Sequence, residues 1–173
     1  YDYYDLGQYN QKGTVRTRFG TQAELKAALA AYREQGIVCM ADIVLNHRSG
    51  GDWEVNPNTG DGYWTDFSSV ASGKAVWDYD DFHPSSLEVS DEGKFAGFPD
   101  VVHVAGAGVG DPAYDFIEWG NWLMDPANAG FDGGWRFDYV KGFTPRMMRD
   151  FRSGTGSPFA IMECWDGIPM IEA

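Results

Sequence analysis

Gly134-Trp135-Arg136-Phe137-Asp138 and, one helix-length later, Phe159-Ala160-Ile161-Met162-Glu163 are the stretches on which the reading of this chain turns. Each is a short apolar run entered through turn residues and closed by a carboxyl, the pattern of a buried strand. The interval 144–152 accommodates one helix. Strand, helix and strand make a parallel pair whose C-terminal ends lie on the same side. The spacing therefore brings the carboxyls of Asp138 and Glu163 to one end of a sheet. Two carboxyls placed there are the equipment that glycoside cleavage requires.

Upstream, Thr21-Gln22-Ala23-Glu24 has the form of a capping box. Leu25, Leu29 and Tyr32, with Ala28 and Ala31, continue at helical spacing, and Gly36 stops the helix. Residues 37–44 then read as a buried strand that ends in Leu45-Asn46-His47. From Arg48 to about Gly110, Gly, Asp, Pro, Ser and Trp dominate. That is too long for a plain loop and predicts an excursion or small subdomain containing short strands. A helix over 112–128, carrying Phe116, Trp119 and Leu123, precedes the opening pair of strands. Alternation of this kind predicts a parallel sheet. All three strands end in polar residues, as they do in a (β/α)8 barrel and in open α/β sheets. An eight-stranded barrel takes about 250 residues. A chain of 173 residues with three core strands is thus expected to be a piece of one, beginning and ending mid-fold.

The net charge of −13 argues against nucleic acid and anionic membrane surfaces as partners, and suits a neutral substrate or a cation. No run approaches the roughly 18 apolar residues of a membrane span. No secretory signal is visible in the chain. Seven Trp and nine Tyr fit either a large aromatic core or surfaces for sugar faces, and composition leaves both open. Cys39 and Cys164 fall within predicted buried strands and read as inert thiols. A phosphate-binding α/β enzyme would need a Gly-rich loop between strand and helix, and the sequence has none of that form.

Four stretches together resemble the alpha-amylase family of retaining glycoside hydrolases. They are Asp42-Ile43-Val44-Leu45-Asn46-His47, Phe98-Pro99-Asp100-Val101, Gly134 to Asp138 with Tyr139-Val140-Lys141-Gly142, and Glu163-Cys164-Trp165-Asp166. Tyr3-Tyr4-Asp5-Leu6-Gly7, Gly13-Thr14-Val15, the stretch from Asn46 to Gly73, and Asp91-Glu92-Gly93 look closest to archaeal-type members. The resemblance implies a partial (β/α)8 barrel in residues 1–47 and 109–173, with a protruding calcium-binding subdomain over 48–108.

It also implies roles. Asp138 would be the nucleophile and Glu163 the general acid/base of a double displacement that cleaves alpha-1,4-glucosidic bonds within starch and maltooligosaccharides. Arg136, two residues from Asp138 and on the same strand face, would hold the nucleophile ionised. His47, Lys141 and Tyr4 would contact the sugar, and Asp42 would support the site. Read alone, Asp138 could be an ion-pair partner of Arg136 or Lys141, and Glu163 a solvated charge. His47 could be a satisfied strand-end histidine. The surrounding motifs select the functional readings of these three and leave Tyr4 open between stacking and packing.

The side chains of Asn46, Asp91 and Asp100 and the carbonyls of Gly93 and Gly142 match the family's Ca²⁺ ligands, a hard-oxygen set. Some archaeal-type relatives carry a zinc site as well. Only His83 of it survives here, with Glu88 and Val102 at the other positions and Val89-Ser90 in place of a cysteine pair, so no zinc is expected. The family's third carboxylate, in an Asn-His-Asp motif, is expected beyond Ala173, and the isolated chain is expected to be inactive. Rival readings are a maltooligosaccharide-forming amylase or transglycosylase, and an inert fragment. The resemblance further implies a secreted monomer.

Overall fold

The computed structural model describes residues 1–11, 13–84, 95, 97–103, 110–157 and 159–165. In chain order the elements are α1 (Gln22–Glu34), β1 (Ala41–Val44), β2 (Asp52–Val55), β3 (Gly62–Asp66), a 3-10 turn (Tyr79–Asp81), α2 (Pro112–Met124), β4 (Trp135–Asp138), a second 3-10 turn (Val140–Gly142), α3 (Pro145–Gly154) and β5 (Ala160–Met162). β1, β4 and β5 form a parallel sheet in that order, and β2 and β3 pair as a separate antiparallel hairpin.

Local chemistry sets the helix ends. The Thr21 hydroxyl accepts from the Glu24 N–H while the Glu24 carboxylate accepts from the Thr21 N–H, the capping box expected at the start of α1. α2 stops at Met124, four residues short of the expected 128. Pro126 is the reason, since a residue before proline is driven out of the helical region and Asp125 is extended. α3 opens on Pro145 with the Thr144 hydroxyl accepting from the Met147 N–H.

β4 alternates strictly. Trp135 and Phe137 are fully buried and pack on Phe151 of α3 at 5.3 and 5.6 Å between ring centroids. The Trp135 indole N–H donates to the Thr155 hydroxyl at 3.0 Å, so this buried ring leaves no polar atom unsatisfied. Burying each ring contributes about 1.5–3 kcal/mol. Arg136 and Asp138 necessarily project from the other face. Gly134, at φ +89°, starts the strand where a Cβ would strike the Phe159 carbonyl.

The flanking strands depart from the expected buried runs. β1 is paired only from Ala41, and Ile37 and Val38 are exposed. The Ile37 N–H is spent on closing α1 through Tyr32 O, and Cys39 is tied to the 132–133 turn. In β5, Ile161 and Met162 are exposed, as is Phe159 before it. β1 and β5 are the edges of this sheet, each pairing on one side with β4. Cys39 and Cys164 lie just outside the strands and are half-buried, not enclosed within them.

The long stretch after β1 carries the β2–β3 hairpin and returns to its starting point. A bridge joins His47 to Asp100, and the Val101 N–H donates to Asn46 O at 2.8 Å. Arg48, 2% exposed, secures the departure. Its guanidinium lies 3.8 to 4.6 Å from the ring centroids of Tyr3, Phe67 and Trp77 and donates to the carbonyls of Tyr1 and Ala75. A buried cation needs such compensation, and the cage ties the N-terminal segment to the excursion.

Candidate active site

The register of the sheet assembles the carboxyl pair. Asp42 is paired with Arg136, Val44 with Asp138, and Phe137 with Met162. One step further places Glu163 beside Asp138, and the Glu163 N–H donates to Phe137 O at 2.9 Å. Partnered residues in a parallel ladder share a face, so Asp42, Arg136, Asp138 and Glu163 converge on the face opposite Trp135 and Phe137. Arg136 Nη1 lies 2.8 Å from Asp42 Oδ1 and 2.5 Å from Asp138 Oδ1, while Nη2 lies 3.0 Å from Glu163 Oε1. The hydrogen bonds to Asp42 and then Asp138 raise the Arg136 pKa, fixing a permanent cation among three carboxyls.

Tyr139, next along the chain, adopts the left-handed conformation (φ 46°, ψ 57°) and its N–H donates to Glu163 Oε2 at 3.3 Å. A non-glycine residue held there costs about 1–3 kcal/mol and marks sites that the surrounding structure over-determines. Glu163 thus accepts a hydrogen bond at Oε2 and pairs with the Arg136 cation at Oε1. The bend at Tyr139 leads into the 3-10 turn that carries Lys141, half-buried, and Gly142, buried.

His47 sits beside this group. Burial lowers its pKa while the charge of Asp138 acts in the opposite sense. Its ring stacks on Phe95 (4.9 Å, 13°) and Phe98 (5.2 Å, 18°), and Phe95 meets Tyr139 edge-on at 5.1 Å. The sequence assigns no role to these two phenylalanines, although Phe98 opens the stretch Phe98-Pro99-Asp100-Val101. Tyr4, open from sequence between stacking and packing, is packed in this chain. Its ring is 5% exposed, edge-on to Trp122, with Lys74 Nζ 4.7 Å from its centroid.

Of the candidate calcium ligands, Asp91 and Gly93 lie outside the described residues, as does Glu88 of the former zinc positions. The other three calcium candidates meet. Asn46 is fully buried, and its Nδ2 donates to Asp100 Oδ1 at 2.8 Å and to the Gly142 carbonyl at 2.9 Å. A Cβ on Gly142 would overlap the Asn46 amide, so only glycine lets the carbonyl approach. Among the described residues no group of three or more His, Cys, Asp or Glu side chains forms a metal cluster. The donors that do converge are a carboxylate, a carbonyl and an amide, a mixed oxygen set that suits Ca²⁺ once the amide presents its oxygen.

His103 braces this end of β1. It is 5% exposed, and its Nε2 lies 2.9 Å from the Leu45 carbonyl. Burial first of all pushes its pKa down to about 4 from 6.5. Between those values the unfolded chain binds a proton that the folded chain refuses, so stability falls as pH drops from 6.5 to about 4. The expected loss is up to about 3 kcal/mol. Asp81, raised to about 7 mainly by burial, acts in the opposite direction below that pH. Urea unfolding of wild type and His103→Gln across this range isolates the histidine. The wild-type curve should fall more steeply toward acid, and parallel curves would show that His103 contributes nothing.

The chain is 32% identical over 211 residues to the glucan 1,4-alpha-maltohexaosidase of Bacillus sp. (strain 707), an alignment covering 95% of this chain. It is 30% identical over 210 residues, again 95% of this chain, to an alpha-amylase of Geobacillus stearothermophilus. The chain belongs to the alpha-amylase family. No protein-family model matches it. This alpha-amylase-family chain spans 40% and 38% of the lengths of those two relatives. The solved alpha-amylase of Malbranchea cinnamomea matches with a TM-score of 0.59 at 21% identity, over 88% of this chain and 30% of that one. An alpha-amylase of Geobacillus thermoleovorans, complexed with acarbose, matches with 0.59 at 18% identity, over 90% and 32%. At such identities the likeness is one of fold.

Proposed function

We propose that this chain carries two catalytic carboxyls of a retaining hydrolase that cleaves alpha-1,4-glucosidic bonds within starch and maltooligosaccharides. The observation that carries this reading is the single Arg136 guanidinium bound to both Asp138 and Glu163 at adjacent parallel strand ends. Asp138, ionised against Arg136, attacks the anomeric carbon and forms a covalent glycosyl ester. Glu163 gives a proton to the departing oxygen and then takes one from the water that hydrolyses the ester. Because Glu163 is held here by the Tyr139 N–H and the Arg136 cation, its acid role requires a proton to enter as substrate binds. His47 and Lys141 contact the sugar beside the cleaved bond.

Residues 1–47 and 109–173 are assigned to a (β/α)8 barrel and 48–108 to a protruding subdomain. Asn46, Asp100 and the Gly142 carbonyl would hold Ca²⁺ together with Asp91 and Gly93. The ion would supply fixed positive charge that pins the excursion to the ends of β1 and β4. The whole protein is proposed to act as a secreted monomer. Among the described residues no helix is long and apolar enough to cross a membrane. Two related proteins, however, are named for cytoplasmic and chloroplastic locations.

The test is the stereochemistry of the first product. The full-length enzyme acting on soluble starch should release α-anomers, followed by proton NMR before mutarotation, and β-anomers would sink the double displacement. A maltooligosaccharide-forming activity is the second reading, favoured by relatives named maltohexaosidase and maltotetraohydrolase. A single dominant oligosaccharide length among the products would select it.

A further inference from the structure

The direction in which His47 points is not settled by its own side chain. The last torsion of a histidine, from tetrahedral Cβ to the flat ring, is broad and roughly two-fold, so the imidazole plane swings unless its neighbours set it. Nδ1 lies 3.2 Å from Asn46 Oδ1, and a single contact of that length tolerates a range of ring tilts. Two phenyl rings supply the stronger constraint. Phe95 and Phe98 lie 4.9 and 5.2 Å from the imidazole centroid at interplanar angles of 13° and 18°, so one orientation of the imidazole satisfies both stacks. Phe95 in turn meets Tyr139, the residue after Asp138, edge-on at 5.1 Å. The stack therefore runs from the end of β1, through the excursion, to the turn that follows β4.

Local chemistry builds the phenyl pair. The Phe98 N–H donates to Phe95 O at 3.0 Å and closes a turn, within which Gly97 stands at φ +82°, a left-handed value that glycine takes without strain. One tight turn thus presents both rings. The backbone beyond it is tied on either side of His47, by the Arg48 N–H to Pro99 O at 3.1 Å and by the Val101 N–H to Asn46 O at 2.8 Å. The strand end that carries the imidazole therefore also fixes the rings that face it. Core packing does not account for them. Phe95 and Phe98 remain 38% and 40% exposed, whereas core rings such as Phe82 and Phe116 are 1% exposed. We propose that Phe95 and Phe98 are positioning residues, which set the plane of the His47 ring so that its outer edge meets the sugar in one orientation. Their effect on turnover passes through the imidazole. A contact group that is already aimed needs no reorganisation when substrate arrives, which is how preorganised sites gain rate. The excursion in this way serves the site without supplying a reacting group. The inference rests on the reading of His47 as a sugar contact.

A double-mutant cycle in the full-length enzyme, read as kcat/KM on an aryl maltooligoside, tests this role. Leucine keeps an apolar side chain but has no flat face, whereas tyrosine keeps the face. Phe95→Leu combined with Phe98→Leu should lower kcat/KM by about 10–100-fold, the scale on which a slightly misplaced contact group slows a reaction. Phe95→Tyr with Phe98→Tyr should restore near-normal values. In a His47→Gln background the same two leucine substitutions should cost little, because the group they aim is gone. Urea unfolding of each variant shows that it folds. Should the leucine pair fail to fold, Phe98→Leu alone completes the cycle with the same expected direction. Leucine losses of equal size with and without His47 would overturn the positioning role, as would unchanged kcat/KM in the folded leucine variants. Normal kcat/KM in His47→Gln by itself would overturn the sugar-contact reading, and the positioning role with it.

Discussion

Glu163→Gln in the full-length enzyme should lower starch turnover by roughly 10²–10⁴-fold, the usual worth of a positioned proton donor. The substitution is nearly isosteric. Its amide oxygen can accept from Arg136 or from the Tyr139 N–H, so the geometry of the site should survive and oligosaccharide binding should remain measurable. What disappears is the transferable proton. The loss should therefore depend on the leaving group. An aryl maltooside whose phenol leaves without protonation should recover most of the glycosylation rate, while the glycosyl ester on Asp138, left without a base, should accumulate and be visible by mass spectrometry. Near-normal hydrolysis of starch by the variant would remove Glu163 from the mechanism. An equal loss on both substrates would make its role structural.

Arg136→Lys should be almost as damaging as Arg136→Met, with kcat/KM falling by about 10²-fold or more in each. The guanidinium reaches Asp42 and Asp138 through Nη1 and Glu163 through Nη2. Its planar fork serves separate acceptors at once, whereas an ammonium is a point charge that must choose among them. Restored charge without restored geometry should thus fail to restore activity. The methionine variant should in addition lose about 1–3 kcal/mol, because three carboxyls on one sheet face would then repel one another without a cation. Asp42 contributes less to this, since its side chain is 66% exposed and well screened. Initial rates and urea melts of both variants check the pair of expectations. Activity retained in Arg136→Lys would show that charge alone is needed.

The legible parts of this molecule are those specified by neighbouring residues. The α1 capping box, the stop near Gly36 and the alternation in Trp135-Arg136-Phe137-Asp138 follow from sequence-local chemistry and appear as expected. The convergence of Asp138 and Glu163 was legible too, because a strand, a helix and a strand leave few topologies. Burial was less so. Residues 37–38, Ile161 and Met162 have the composition of interior strands, yet they are exposed, the first two ahead of the paired part of β1 and the others in β5 at a sheet edge. The packing of Tyr4 was not legible either, since Trp122, which meets its ring, comes from α2 and Lys74, which lies over it, from the excursion.

Residue order and spacing were enough to establish a parallel sheet with Asp138 and Glu163 at its C-terminal end, and enough motif to place the chain among the alpha-amylases. They could not establish that one guanidinium serves three carboxyls, that Asn46 stands between Asp100, Gly142 and His47, or that Phe95 and Phe98 hold the imidazole. Arg136 and Asp138 are neighbours on one strand, but the other partners are remote, 54 and 96 positions for Asn46 with Asp100 and Gly142 and 94 for Arg136 with Asp42. Local preferences act over a few residues and carry no record of such meetings. Only the register of β1 against β4 and the return of the excursion to its starting strand bring them together.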